Sequence, residues 1–184
     1  MKPVFVGQAT PARSRVFGFV PNSIFLAGPT PRSDEVKSWR PKALEILRGK
    51  GFTGHVFVPE TDGWSWLGDY DRQVKWEWEA LGKAACALFW VPRNLETMPG
   101  FTTNVEFGFM IALAPERVVL GSPEDAEKTR YLKSLCSDIW AFHKSFDPHY
   151  SHVQAPFQAT SLVGSLTLAM ATSNKNSTYE GQVV

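Results

Sequence analysis

The chain has 184 residues, enough for one compact domain with a sizeable core. With 43% hydrophobic and 20% charged residues it reads as an ordinary globular protein, not a disordered or fibrous one. Nineteen basic residues stand against eighteen acidic ones, so a net charge of +1 leaves no excess field to hold a long nucleic acid or an anionic membrane.

The leader, residues 1–22, carries Pro3, Pro11 and Pro21 and is expected to be irregular, with one edge strand at Val16 to Val20. The apolar run Ile24 to Ala27 closes on Gly28 and Pro29, as a buried strand entering a tight turn does. A helix is expected from Asp34 to Leu47, where Val36, Trp39, Ala43, Leu44 and Leu47 recur at helical spacing behind a Ser33 or Asp34 cap. His55 to Val58 reads as a second strand, followed by a loop bearing Trp64 and Trp66. Asp71 to Lys83 reads as a second helix, and Ala84 to Val91 as a third strand stopped by Pro92.

Thr102 or Thr103 can cap a third helix running to Ala114, and Arg117 to Leu120 makes a fourth strand. Beyond it, Glu127 to Cys136 reads as helix, Asp138 to Ala141 as a short strand, and Ser161 to Ala171 as a last helix. Strands alternating with helices predict an α/β domain over residues 23–172, a doubly wound, mainly parallel sheet with helices on both faces. A flexible tail, 173–184, is expected to follow. In such sheets ligands lie beyond the carboxyl ends of the strands, which here brings together Gly28 to Ser33, Pro59 to Tyr70 and Pro92 to Glu106.

Cys86 and Cys136 lie in apolar or helical stretches, which fits a reducing cytosol better than a disulfide framework. No run of roughly 20 apolar residues and no signal peptide is found, so a cytoplasmic location is expected. His149 and His152 are three apart, unlike the i, i+4 pair of a zinc helix, and neither a metal nor another cofactor is expected.

Chemistry centres on Glu106, in Thr102-Thr103-Asn104-Val105-Glu106-Phe107-Gly108. A carboxylate near a helix start meets the positive end of the dipole, which would keep it ionised and able to attack. The alternative is a capping box begun by Thr103, three residues earlier. Apolar neighbours at Val105, Phe107, Phe109 and Met110 weigh toward the nucleophile, because an exposed cap does not need them. Arg32 and Ser33, in the first turn, are placed to hold a phosphate. Gln73 and Glu77 share a helix face, so Glu77 can enter the crevice as a second acid. Tyr70, with Trp64 and Trp66, can stack on a base.

The strings IFLAGPTPR (24–32), YDRQVKWEWEAL (70–81), ALFWVPR (87–93) and PGFTTNVEFG (99–108) together resemble the nucleoside 2-deoxyribosyltransferase superfamily, in its nucleoside 2-deoxyribosyltransferase-like branch. The resemblance implies a Rossmann-like, flavodoxin-type sheet and a nucleophilic glutamate carried by a Thr-x-x-Glu-x-Gly pattern, here Thr103, Glu106 and Gly108. Glu106 would then attack C1′ of a (deoxy)nucleoside or nucleotide, expel the base and pass the sugar to another base or to water. Homo-oligomers with a neighbouring subunit completing the site are implied too. Where members often carry a tyrosine on the first strand, this chain has Phe25, and Tyr70 is the candidate substitute. Catalytic roles thus fall to Glu106, Glu77 and Tyr70. Substrate contacts fall to Phe25, Gly28, Pro29, Arg32, Ser33, Trp90, Arg93, Thr103 and Asn104. The competing expectation is a non-catalytic nucleotide-binding or sensory module on the same fold.

Overall fold

A computed structural model describes residues 18–60, 70–146 and 166, 167, 169 and 170. The first two residues of the expected edge strand at Val16 to Val20, Trp64 and Trp66, His149 and His152, and the tail lie outside the described residues.

Four strands, β1 (Val20–Ala27), β2 (His55–Phe57), β3 (Ala84–Trp90) and β4 (Val118–Gly121), form one sheet in the order β2-β1-β3-β4, every pair parallel. Between them run α1 (Arg40–Gly49), α2 (Tyr70–Lys83) and α3 (Phe101–Leu113), and α4 (Arg130–Phe146) follows β4. The expected α/β doubly wound fold is therefore present. Its two faces follow from the period of a strand, in which successive side chains point to opposite sides. Ile24, Leu26, Cys86, Leu88 and Trp90 pack on one side against Trp39, Ala43, Leu44 and Leu47 of the α1 segment, with Leu166 and Met170 beside them. Phe25, Ala27, Ala87 and Phe89 pack on the other against Ala80 and Leu81 of α2, Phe107, Met110 and Ile111 of α3, and Leu132 of α4.

The structure corrects several boundaries. α1 starts at Arg40, six residues later than expected, and Ser33 and Asp34 cap nothing. Pro41 gives the reason. Its missing N–H and fixed φ suit a first turn, whereas a helix begun at Asp34 would drive the ring into the Lys37 carbonyl. β1 begins before Ile24, with a register shift between Val20 and Ile24 where Asn22 takes a positive φ of 51°. The expected strand at Asp138 to Ala141 is part of α4 instead. Leu132, Leu135, Cys136 and Ile139 fall at i, i+3, i+4 and i+7 and all face the second core cluster, so helical periodicity wins.

Two glycines set the geometry at the carboxyl end of the sheet. A Cβ at Gly28, where φ is 151°, would lie 2.1 Å from the Trp90 carbonyl oxygen, so β1 turns into its loop tight against the end of β3. Gly100 caps α3 in the left-handed conformation, φ 63° and ψ 46°, and a Cβ there would sit 2.7 Å from Pro29 Cγ. The start of α3 is thereby pressed onto the turn that follows β1.

Candidate active site

With Gly100 as the cap, no side chain caps α3, and Thr103 sits inside the first turn with its side chain buried. The capping box between Thr103 and Glu106 is not formed. Glu106 falls in the second turn, past the first four residues whose amides are free. The expectation that the helix start keeps it ionised is overturned. Burial first, and then the charge of Glu77, push the Glu106 carboxyl up to about 8, against a downward pull from Arg40.

Glu77 reaches the same region from α2. Its carboxyl is also raised by burial, while the hydrogen bond from Gln73 and the charge of Arg40 pull it back. Gln73 is buried, and its Nε2 donates to Glu77 Oε1 at 2.7 Å and to the Pro59 carbonyl at 3.3 Å. Two carboxyls that repel each other in a partly dry site do not both ionise readily, so they titrate as a pair.

The cation whose charge lowers both is Arg40. It is 1% exposed, and every nitrogen of its guanidinium is bonded. Nε donates to the Leu26 carbonyl at 3.1 Å, and Nη2 to the Gly28 carbonyl at 2.7 Å. Nη1 pairs with Glu60 Oε1 at 2.5 Å and also meets Thr30 Oγ1 and the Pro29 carbonyl. Ser38 Oγ in turn donates to Glu60 Oε2 at 2.8 Å. Arg40 thus ties the carboxyl end of β1 to the residue that follows Pro59 beyond β2. Sequence reasoning missed this group. The signal was present, because Arg40, Ala43, Leu44 and Leu47 make an i, i+3, i+4, i+7 stripe, and an arginine on a buried stripe needs fixed partners.

The other expected site residues divide. Gly28 and Pro29 form the turn held by Arg40, and the Pro29 carbonyl also accepts from Trp39 Nε1 at 3.0 Å. Arg32 and Ser33 are exposed beyond it, Arg32 lying 5.7 Å over the Phe101 ring and donating its backbone N–H to the Thr97 carbonyl. Phe25 is fully buried, its ring 6.3 Å from that of Trp76. Tyr70 opens α2 and is 65% exposed.

Trp90 lies on the other face of the sheet, while Arg93 reaches both, lining a second cavity with Asn104, Phe107 and Gly108 as well. Both line a cavity of about 370 Å³ that also takes in Lys37, Trp39, Met98 and Pro123. Trp39 and Trp90 belong to the α1 face of the sheet, whereas Phe107, next to Glu106, packs on the other. Arg93 is buried and engages Asn104 Oδ1 through Nη2 at 2.5 Å and the Lys128 carbonyl through Nη1 at 3.0 Å.

A four-stranded parallel sheet with helices on both faces, its first strand ending on a fixed guanidinium, defines a Rossmann-like α/β protein. Residues 21–126, more than half of the chain, match the family described as nucleoside 2-deoxyribosyltransferase like, and the chain belongs to that family. A comparison with curated proteins finds no match.

Proposed function

We propose that this protein cleaves the N-glycosidic bond of (deoxy)nucleosides or nucleotides, with Glu106 as nucleophile and Glu77 as acid. What supports this reading is a pair of partly buried glutamates on neighbouring helices, Glu77 held by the Gln73 amide and Glu106 in a family that the chain belongs to, with both carboxyls raised by burial. Two carboxyls that both resist ionisation can hold a proton between them. Once the pair has lost its first proton and the one that remains sits on Glu77, the Glu106 carboxylate bonds to C1′ while the C1′–N electron pair leaves with the base, which takes the proton from Glu77. A second base, or a water that returns its proton to Glu77, then attacks C1′ and frees Glu106. Two inversions retain the configuration, and each step is easier than a single direct displacement.

Arg32 and Ser33, exposed at the end of the turn after β1, are positioned for a 5′-phosphate. No ion pair engages Arg32 among the described residues, which leaves its charge for an anion. Such a grip favours hydrolysis of nucleotides, and its lack of use would favour transfer between nucleosides. The purified protein incubated with nucleosides and nucleotides, with and without an acceptor base, should release base detectable by chromatography. Binding of these compounds with no release from any of them would favour the non-catalytic module.

The reading includes a second copy of the chain. Phe101, Val105, Phe109 and Leu113 recur every four residues along α3 and are 66%, 63%, 40% and 66% exposed. Trp78 of α2 meets Phe109 edge-on, with ring centroids 4.5 Å apart. A helix apolar on its outer face as well as its inner one implies a partner for the outer face. That stripe runs beside Glu106, so a neighbouring subunit seated there would also shut water from the site. We expect Val105→Glu/Leu113→Glu to convert an oligomer to monomer in light scattering. A wild type already monomeric at tens of micromolar would remove this part of the reading.

A further inference from the structure

Gln73 is buried, 4% exposed, and both hydrogens of its amide nitrogen are committed. One goes to the Pro59 carbonyl at 3.3 Å and one to Glu77 Oε1 at 2.7 Å. A carbonyl oxygen can only accept, so the amide nitrogen must face Pro59, and the orientation of the whole group is thereby fixed. The partner oxygen of Glu77 is then an acceptor too. An oxygen that accepts from an N–H at 2.7 Å is not the one that carries a carboxyl proton.

We infer that Gln73 is a positioning residue which confines the proton of Glu77 to Oε2, making that atom the donor to the departing base. This rests on the proposed glycosidic cleavage and adds the identity of the donor atom and of the group that selects it. In the bond-breaking step Oε2–H gives its proton to a ring nitrogen of the base, the C1′–N pair departs with the base, and a lone pair of Glu106 forms the ester to C1′. Glu77 ends as a carboxylate that still accepts from Gln73, a charge-assisted bond stronger than the one it replaces. Gln73 is itself anchored on Pro59, the residue before the Glu60 that pairs with Arg40. The buried ion pair therefore fixes the loop from which the donor atom is aimed.

The test compares two substrates. An ordinary purine nucleoside needs its base protonated as it leaves, whereas a 7-methylated purine nucleoside carries a base already positively charged and needs no acid. Gln73→Met removes the donor at nearly constant volume. It should lower kcat on the ordinary nucleoside by about 10- to 100-fold, part of what a general acid is worth. KM should hardly move, and kcat on the methylated nucleoside should fall less than about threefold. Equal losses on both substrates, or none on either, would overturn the inference while leaving glycosidic cleavage intact.

A second readout does not need turnover. In isotope-edited infrared spectra of protein with 13C-labelled glutamate, the protonated Glu77 C=O stretch, identified by its loss in Glu77→Gln, should move to higher frequency in Gln73→Met, because its hydrogen bond is gone. An unmoved band sinks the inference even if the wild type releases no base, a result that would by itself remove the catalytic reading.

Discussion

Glu106→Gln is expected to lower kcat for base release by at least about 10³-fold and, in the same protein, to raise Tm at pH 8. The first effect follows from the loss of the nucleophile, since an amide oxygen cannot form the glycosyl ester. The second follows from the environment that makes the carboxylate reactive. In the folded protein the Glu106 carboxyl is pushed up to about 8 from an ordinary 4.5, mainly by burial and then by Glu77. Between those two values the native state holds a proton that the unfolded chain has released, so native stability falls as pH rises through this window and levels off above it.

Glutamine carries no charge to desolvate. The variant and the wild type should therefore be about equally stable near pH 4 and diverge steadily up to pH 8. There the difference should be on the order of 2 kcal/mol, discounted for the partial exposure of the group, or about 5 °C in Tm. Melting curves across pH 4 to 9 measure the divergence. Parallel curves at every pH would mean that Glu106 titrates like a solvated carboxyl and that the site stores no strain for catalysis. The same elevation predicts that kcat/KM of the wild type rises with pH on its acid side as the pair loses its first proton, and falls again as the second leaves.

The sheet was legible because its strands are short apolar runs bounded by glycine and proline. Ala84–Trp90, buried at every position, is one such run. Glu106 and Glu77 stand out in the sequence, and both lie in helices between the strands with carboxyls that burial raises. What the sequence did not carry was direction. Glu106 was read as ionised by a helix start, but where α3 begins depends on Gly100 taking a left-handed conformation against Pro29, a tertiary contact with no local signature. Trp90 ends β3 and Arg93 follows it, a place in sequence like that of the other candidate residues. The strand's alternation nonetheless places Trp90 on the α1 face, away from Phe107 and the acid pair. Arg40 was hidden differently, inside a stretch expected to be mid-helix, where Pro41 in fact marks the first turn.

Arg40→Met should be the most destabilising single change at this edge of the sheet, costing about 3–5 kcal/mol. Its removal strands Glu60, a carboxylate whose side chain is 2% exposed, with only the Ser38 hydroxyl left to it among the described residues, and frees the carbonyls of Leu26 and Gly28. Against the roughly 5–15 kcal/mol that holds a domain folded, this is a large share. Urea midpoints of the single variants and of Arg40→Met/Glu60→Met form a cycle that isolates the pair. The double variant should be more stable than Arg40→Met alone, since removing both charges leaves no buried ion unpaired. Arg40→Lys should recover only part of the loss, because an ammonium has no planar fork with which to span the Leu26, Gly28 and Glu60 acceptors at once. Arg40 also pulls down the proton affinity of both Glu77 and Glu106, so any folded Arg40→Met protein should show its pH optimum displaced to higher pH. A loss below about 1 kcal/mol with an unmoved optimum would mean that water reaches Glu60 and that the acid pair works without a fixed cation beside it.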